Sequence, residues 1–347
     1  MTYKVHCSTA SAAYDIVIGE NTWSKTEEFS GRKLLVRDAN VPNPGIKADG
    51  EIVLTPGEQY KTFAAVESIC RSAAKLHLNR KDRFIALGGG VTGDLTGFAA
   101  AIYMRGVNFI QVPTTLLAMV DASVGGKTAA DLPEGKNLIG AFHQPDAVLI
   151  DPAFLKTLSR TDLLCGLAEI VKTAVILDKE LFERLENAGA DLVESPDFNT
   201  VYPELIHRCC QLKAQVVESD EKEQGLRAIL NYGHTFGHAV EQLSDFSIPH
   251  GYGVAIGMNT AGVLAEKLGL WTSEENARQK KLLEALKMPT AIPAGFTPEK
   301  LLEVMRSDKK NDASGIRLVL PRAIGNAETV SGVSETLIKE VMELCHD

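Results

Sequence analysis

Three of the eight histidines, His234, His238 and His250, cluster in one stretch of the chain. In Asn231-Tyr232-Gly233-His234-Thr235-Phe236-Gly237-His238 the first two stand at i and i+4, on one face of an expected helix, and His250 follows directly before Gly251. Neutral imidazoles at that spacing, joined by a nearby carboxylate, fit a zinc or similar divalent site. The string His-Glu-x-x-His is absent, which argues against a metalloprotease. Glu169 is a good third ligand, because it interrupts the otherwise apolar helical run Leu163–Val175 and carries Lys172 at i+3. A surface ion pair is the plainer alternative for those two charges. Lys213 and the run Asp220-Glu221-Lys222-Glu223 add further charge, most of it solvated. Glu223 and Arg227 lie just before Asn231, within reach of the same cleft.

Two glycine-rich runs offer a different chemistry. Gly88-Gly89-Gly90-Val91-Thr92-Gly93-Asp94 follows an expected strand and enters an apolar helical stretch, so its backbone can approach a phosphate that the helix N-terminus attracts. A structural tight turn is the alternative. The run lies on a later strand than a standard dinucleotide fingerprint and lacks the ribose-binding acid about 20 residues on. Pro113–Thr128 also follows a strand and places Thr114, Thr115 and Asp121 ahead of Gly125-Gly126-Lys127-Thr128. That ending mimics a Walker A loop, but Asp121 stands where the first glycine is required. Gly135-Lys136-Asn137 adds a second cation and an amide. For Lys127 and Lys136, a solvated surface lysine and a pocket cation are the competing readings.

These residues need a scaffold, and the hydrophobic pattern supplies one. Short β-branched runs at Tyr14–Ile18, Lys33–Val36, Glu51–Leu54, Arg83–Leu87, Asn108–Val112 and Ala147–Ile150 alternate with helical stretches, which predicts a mostly parallel sheet. From about Thr161 to Lys287 nearly everything reads as helix. Ile316–Leu320 with Glu328–Val330 predicts a small hairpin, and Glu335–Leu344 a closing helix. The boundary falls near 151–160 without a flexible linker. The 347 residues, 45% hydrophobic and 23% charged, suit two globular domains. With 36 Lys and Arg against 45 Asp and Glu, the net charge of −9 argues against nucleic acid as the main partner. Six scattered cysteines form no C-x-x-C pair and read as reduced structural thiols. No apolar run nears 18 residues and no leader pattern follows Met1, so no membrane role and a cytoplasmic location are expected.

The chain resembles the 3-dehydroquinate synthases. The strings that carry the resemblance are Pro56-Gly57-Glu58 with Lys61, Gly88–Asp94, Tyr103-Met104-Arg105-Gly106, Pro113–Thr128, Gly135–Gly140, Ala168-Glu169 with Lys172, Leu230–His238, His250-Gly251 with Val254–Met258, and Asp308-Lys309-Lys310. It implies a dehydroquinate synthase-like fold: an α/β N-terminal Rossmann-like domain binding NAD over 1–158, and an all-α C-terminal domain binding metal and substrate over 159–347. It also implies a substrate cleft between the two and a homodimer. By position, Glu169, His234 and His250 would hold zinc, with cobalt as a substitute. His238 would then turn to the substrate, which departs from the i, i+4 metal pair that spacing alone favours. On the NAD side the matching positions are Asp38, Asn40, Glu58, Lys61, Gly89, Gly90, Val91, Asp94, Thr114, Thr115, Asp121, Lys127, Lys136 and Thr157. Substrate contacts would come from Arg105, Asp121, Lys127, Lys136, Asn137, Lys172, Lys213, Glu223, Arg227, Asn231, His238 and Lys309 or Lys310.

The activity so implied converts 3-deoxy-D-arabino-heptulosonate 7-phosphate to 3-dehydroquinate and phosphate. It runs by transient oxidation with NAD, β-elimination of phosphate, re-reduction and internal aldol closure. A dianionic phosphate that also carries a carboxylate asks for several cations inside an acidic protein. No dedicated base stands out beside them, so the substrate phosphate is expected to take the eliminated proton. Two departures from the family pattern are visible. Leu158-Ser159-Arg160-Thr161-Asp162 is a loose version of a family segment, and the first 37 residues carry no motif. Retention of Leu230, Asn231 and His238 favours dehydroquinate formation over other sugar-phosphate cyclisations. The rival reading is a metal-dependent polyol or glycerol-phosphate dehydrogenase, for which so many cations would be superfluous. A non-catalytic relative should have lost site groups, and none is missing.

Overall fold

The computed structural model describes residues 2–306 and 315–347. From the start of the chain run β1 (Tyr3–Ser8), β2 (Ala13–Ile18), β3 (Lys33–Asp38), β4 (Gly50–Leu54), α1 (Phe63–Lys75), β5 (Arg83–Gly88), α2 (Gly90–Ile102), β6 (Asn108–Pro113), β7 (Lys127–Leu132), β8 (Gly135–Phe142) and β9 (Ala147–Ile150). Then follow α3 (Arg160–Leu177), α4 (Lys179–Ala188), α5 (Asp191–Glu194), α6 (Val201–Ser219), α7 (His234–Leu243), α8 (His250–Lys267), α9 (Ser273–Ala285), α10 (Pro298–Arg306), β10 (Leu318–Ala323), β11 (Asn326–Val330) and α11 (Glu335–Leu344). The chain divides into two compact units, 1–158 with 197–222, and 159–196 with 223–347.

The first unit is built on a seven-stranded sheet in the order β1-β2-β9-β6-β5-β3-β4. Six strands are parallel and β1 closes one edge antiparallel to β2. Strands covered on both faces read as continuous apolar runs, and both faces are filled here. Leu34, Val36, Phe84 and Phe109 pack with Val66 and Ile69 of α1 and Leu95 and Phe98 of α2. On the other face Leu35, Ile85, Leu87, Ile110, Val112 and Leu149 pack with Trp23 and Phe29. Successive connections leave β3 in one direction for β4 and return across it to β5. The carboxyl ends of β3 and β5 therefore flank a topological switch point, where open α/β sheets bind ligands.

Three features go beyond or against the sequence expectation. Strand β1 and the antiparallel hairpin of β7 and β8 over residues 127–142 are not among the expected strands. Helix α6 packs in the first unit rather than with the helical half, because its buried face meets β1, β2 and the turn at Ala118–Ala122. The Cys210 thiol there donates to the Met119 carbonyl at 3.3 Å, and the Tyr3 and His207 rings stack at 4.7 Å. Five of the six cysteines are buried.

In the second unit α3 is buried along Leu163–Ile176 and α8 along most of Gly251–Ala265, and the two pack on each other. A helix apolar on all sides belongs in an interior. Ser159, in the segment that departs from the family pattern, caps α3 by accepting from the Asp162 amide. Thr272 and Glu275 form a reciprocal capping box at the start of α9. Helices α7 and α8 are drawn together by glycines at close quarters. A Cβ on Gly257 would lie 1.9 Å from the Gly233 carbonyl oxygen, and one on Gly237 would lie 2.7 Å from that of Gly253. Among the described residues no helix is long and apolar enough to cross a membrane.

Candidate metal centre and cofactor-binding residues

The close α7–α8 contact decides where the histidines go. His234 opens α7 and His250 opens α8, and both turn toward the middle of α3, where Glu169 is 1% exposed. Glu169 Oε1 stands 3.3 Å from His250 Nε2 and 3.7 Å from His234 Nε2, while Oε2 is 2.5 Å from Lys172 Nζ. The ring of His238 lies 5.2 Å from that of His234 and 5.8 Å from that of His250. Among the described residues two groups of three have ligand atoms within 4.8 Å of one another: Glu169, His234 and His250, and His238, Glu241 and His250. The i, i+4 pair expected from spacing is thus split between two groups that share His250.

The first group is prepared as a ligand set. His234 Nδ1 donates to the Tyr232 carbonyl at 3.0 Å, which leaves Nε2 as the nitrogen that could meet a metal. Tyr232 is itself pinned, its hydroxyl donating to Gln279 Oε1 at 2.7 Å. His250 Nδ1 meets Glu241 Oε1 at 2.9 Å, so its Nε2 likewise faces Glu169. Both Glu169 oxygens are shut off from solvent, yet neither accepts an aligned hydrogen bond among the described residues. A buried carboxylate in that condition could serve a cation beyond the Lys172 ammonium beside it. Its distances to the two imidazoles are close to the ligand-to-ligand spacing of about 3.3 Å that zinc bonds of 2.0–2.1 Å give in a tetrahedron. Two imidazoles and one carboxylate are a donor set that could hold a divalent ion of the kind that acts in catalysis.

The remaining expected groups of this unit lie around the turn before α7. Arg227 is 1% exposed, and Asn231 donates through Nδ2 to Glu223 Oε1 at 2.7 Å and to the Ala228 carbonyl at 3.1 Å. Lys309 and Lys310 lie outside the described residues. Glu241, 3% exposed on α7, was missed in the sequence. Its signal is an acid at i+3 from His238 on an amphipathic helix.

In the first unit the expected cofactor residues collect at the carboxyl ends of the strands. Asp38 ends β3 and Asn40 follows it, Gly89 caps α2 after β5, and Gly90, Val91 and Asp94 lie in the first turns of that helix. Thr114 donates its amide to the Gly88 carbonyl at 2.9 Å, and Thr115 packs beside Gly89. Thr157 ends the turn after β9. Lys61, 4% exposed, bonds Asp94 Oδ2 at 2.6 Å and Asn137 Oδ1 at 2.5 Å. Burial works against its charge, but Asp94 and Glu58 outweigh it and hold the Lys61 pKa above its ordinary value. Lys136 stands 3.5 Å from Glu58, so the turn end of the β7–β8 hairpin carries Lys136 and Asn137 to this edge, while Lys127 opens β7 at the other end, opposite Phe142. Asp131, which sequence reasoning missed and no spacing signals, accepts the Asn137 amide at 2.7 Å and holds that residue at φ 53°. Lys213 of α6 ion-pairs with Asp121. Arg105 is not brought to this edge. It follows α2, whose 13 residues span about 20 Å, and sits exposed at the opposite ends of the strands.

Comparison with known proteins now bears on these residues. Residues 51–165 match the 3-dehydroquinate synthase N-terminal family model and residues 166–311 the corresponding C-terminal model. The chain belongs to the 3-dehydroquinate synthase family. It is 46% identical to the 3-dehydroquinate synthase of Picosynechococcus sp., over 95% of each chain. Among solved structures it is similar to a 2-deoxy-scyllo-inosose synthase complexed with carbaglucose-6-phosphate, NAD+ and Co2+, with TM-score 0.88 and 28% identity over 99% of this chain and 100% of that one. A 2-epi-5-epi-valiolone synthase from Streptomyces hygroscopicus with NAD+ and Zn2+ bound gives TM-score 0.88 and 30% identity over 99% of each. The family and the α/β-plus-helical architecture therefore agree with the resemblance carried by the motifs.

Proposed function

We propose that this chain converts 3-deoxy-D-arabino-heptulosonate 7-phosphate to 3-dehydroquinate and phosphate, as an NAD- and divalent-metal-dependent lyase of aromatic amino acid biosynthesis. The observation that carries this reading is the convergence of the buried Glu169 carboxylate with the Nε2 atoms of His234 and His250, in a chain of this family. Those three residues hold the metal. NAD lies against the glycines after β5, with Asp38 and Asn40 beside it and the Lys61–Asp94 pair fixing the start of α2. When bound, NAD supplies a reversible hydride acceptor and the metal a Lewis acid for the substrate oxygen.

The chain's own side chains do the rest. Lys127, Lys136, Lys172, Lys213 and Arg227 offset the charges of phosphate and carboxylate, with Lys309 or Lys310 as a further cation. Asn137, Asn231, Glu223, Asp121 and His238 orient hydroxyls by hydrogen bonds. Lys172 and Lys213 are held by Glu169 and Asp121, so their ammonium groups are placed before a substrate arrives. A homodimer in the cytoplasm working on a free sugar phosphate completes the reading.

The test follows phosphate release from 3-deoxy-D-arabino-heptulosonate 7-phosphate with catalytic NAD, recording NADH absorbance in the same cuvette, with and without a chelator. Chelator-sensitive phosphate release with no lasting NADH is the expected result. Steady NADH formation from glycerol-like substrates with no phosphate release would replace the synthase by a polyol dehydrogenase.

A further inference from the structure

The geometry points to Glu241 as a positioning residue that acts on the metal centre through His250; the inference rests on the metal site proposed above. His250 is the first residue of α8, and its side chain is 34% exposed, so the helix alone does little to hold the ring. Glu241 is 3% exposed and lies in the groove where α7 and α8 meet, since a Cβ on Gly253 would fall 2.9 Å from its Cγ. Its Oε1 is 2.9 Å from His250 Nδ1. A carboxylate oxygen accepts, so Nδ1 keeps its proton toward Glu241 and Nε2, 3.3 Å from Glu169, is the nitrogen that would give up its proton to a metal. His234 achieves the same orientation with a neutral carbonyl as acceptor. The charged acceptor behind His250 makes it the more basic of the two imidazole ligands.

The competing assignment makes Glu241 itself a ligand, in the group with His238 and His250. The two differ in measurable ways. Metal affinity is read by competition with a chromophoric chelator on metal-stripped full-length protein, for Glu241→Gln, Glu241→Leu, His234→Ala and His250→Ala, together with the visible spectrum of the Co2+-loaded forms. Glu241→Leu is expected to bind the metal about 10–100-fold more weakly, the usual loss for an outer-shell partner, without lowering the thermal midpoint of the metal-free protein by a matching amount. Glu241→Gln, whose amide oxygen still accepts from Nδ1, recovers most of that loss, and the Co2+ bands stay where they were because the coordinating atoms are unchanged.

Affinity of Glu241→Leu equal to that of the parent overturns the proposal. So does Glu241→Gln binding as poorly as His250→Ala with shifted Co2+ bands, which makes Glu241 a ligand. Should Glu241→Leu not fold, the 15N shift of His250 Nδ1 in the metal-loaded parent decides, protonated in support and unprotonated against. Unchanged affinity in both His234→Ala and His250→Ala refutes the metal centre itself, a failure distinct from the others.

Discussion

Lys172→Met tests the electrostatics of the metal centre without touching a proposed ligand. The ammonium stands 2.5 Å from Glu169 Oε2, and the two side chains are 2% and 1% exposed. Removing one partner of a buried pair costs about 3–5 kcal/mol, because the other charge is left uncompensated. His250 Nε2 remains 3.3 Å from the other oxygen, which places the expected cost at the lower end, about 3 kcal/mol. In the metal-stripped protein that corresponds to a fall of about 6–12 °C in the unfolding of the helical unit. With a metal ion at Glu169, His234 and His250 the carboxylate is compensated again. Only the packing difference between lysine and methionine then persists, about 1 kcal/mol.

A thermodynamic cycle ties these two numbers to a third. The difference of about 2 kcal/mol between metal-free and metal-loaded destabilisation must reappear as tighter metal binding, about 30-fold. Calorimetric unfolding with and without metal and chelator competition measure the two sides independently. Activity is not the readout, because Lys172 also belongs to the proposed substrate contacts. Equal destabilisation in both states with unchanged affinity would refute the reasoning, since Glu169 would then need no compensation from either cation.

His250→Ala is expected to lose both metal and activity, whereas His238→Ala keeps the metal; elemental analysis of the purified variants separates the two, and the reverse outcome would move the site to the second group. In the metal-free protein burial disfavours the His250 imidazolium, but Glu241 and Glu169 outweigh it and push the pKa up to about 10. That value lies above the unfolded value of about 6.5, so the His250 contribution to stability is complete below about 6.5 and is lost as pH rises through about 10. A metal must displace the same proton, so its affinity should strengthen with pH by up to about tenfold per unit below that pKa, and a flat profile by chelator competition would contradict it. Lys61→Met leaves the half-buried Asp94 without its cation and should destabilise the first unit by about 1–3 kcal/mol and weaken NAD binding; adding Asp94→Asn should restore stability but not NAD affinity, by denaturant unfolding and calorimetric titration.

The elements of the sheet were legible for a physical reason. Parallel strands buried on both faces leave unbroken β-branched and aromatic runs such as Phe84-Ile85-Ala86-Leu87, and all six expected strands lie where those runs are. The β7–β8 hairpin was not legible, because Ala129-Ala130 and Gly135–Gly140 give neither β-branching nor clean alternation. Its register comes from the partner strand and from Asp131 holding Asn137. Helix α6 was legible as a helix but not as a member of the first unit. Periodicity reveals that Leu205, Cys209, Leu212 and Val216 share a buried face; it carries no information about which unit covers that face.

The same limit explains the histidines. An i, i+4 rule sees only neighbours on one helix, so it pairs His234 with His238. The structure instead lets two helix starts approach a third helix, and the approach is set by backbone contacts at Gly233 with Gly257 and Gly237 with Gly253. Spaced four apart on each helix, these glycines were as visible in the sequence as the histidines. They were read only as flanking residues because a glycine records the space another backbone needs, not a contact of its own. Where two histidines stand beside glycines at i, i+4 spacing, the cross-helix neighbour is therefore as strong a ligand candidate as the one on the same helix. Glu169 fits that reading, since its buried carboxylate stands within 3.7 Å of both helix-start imidazoles.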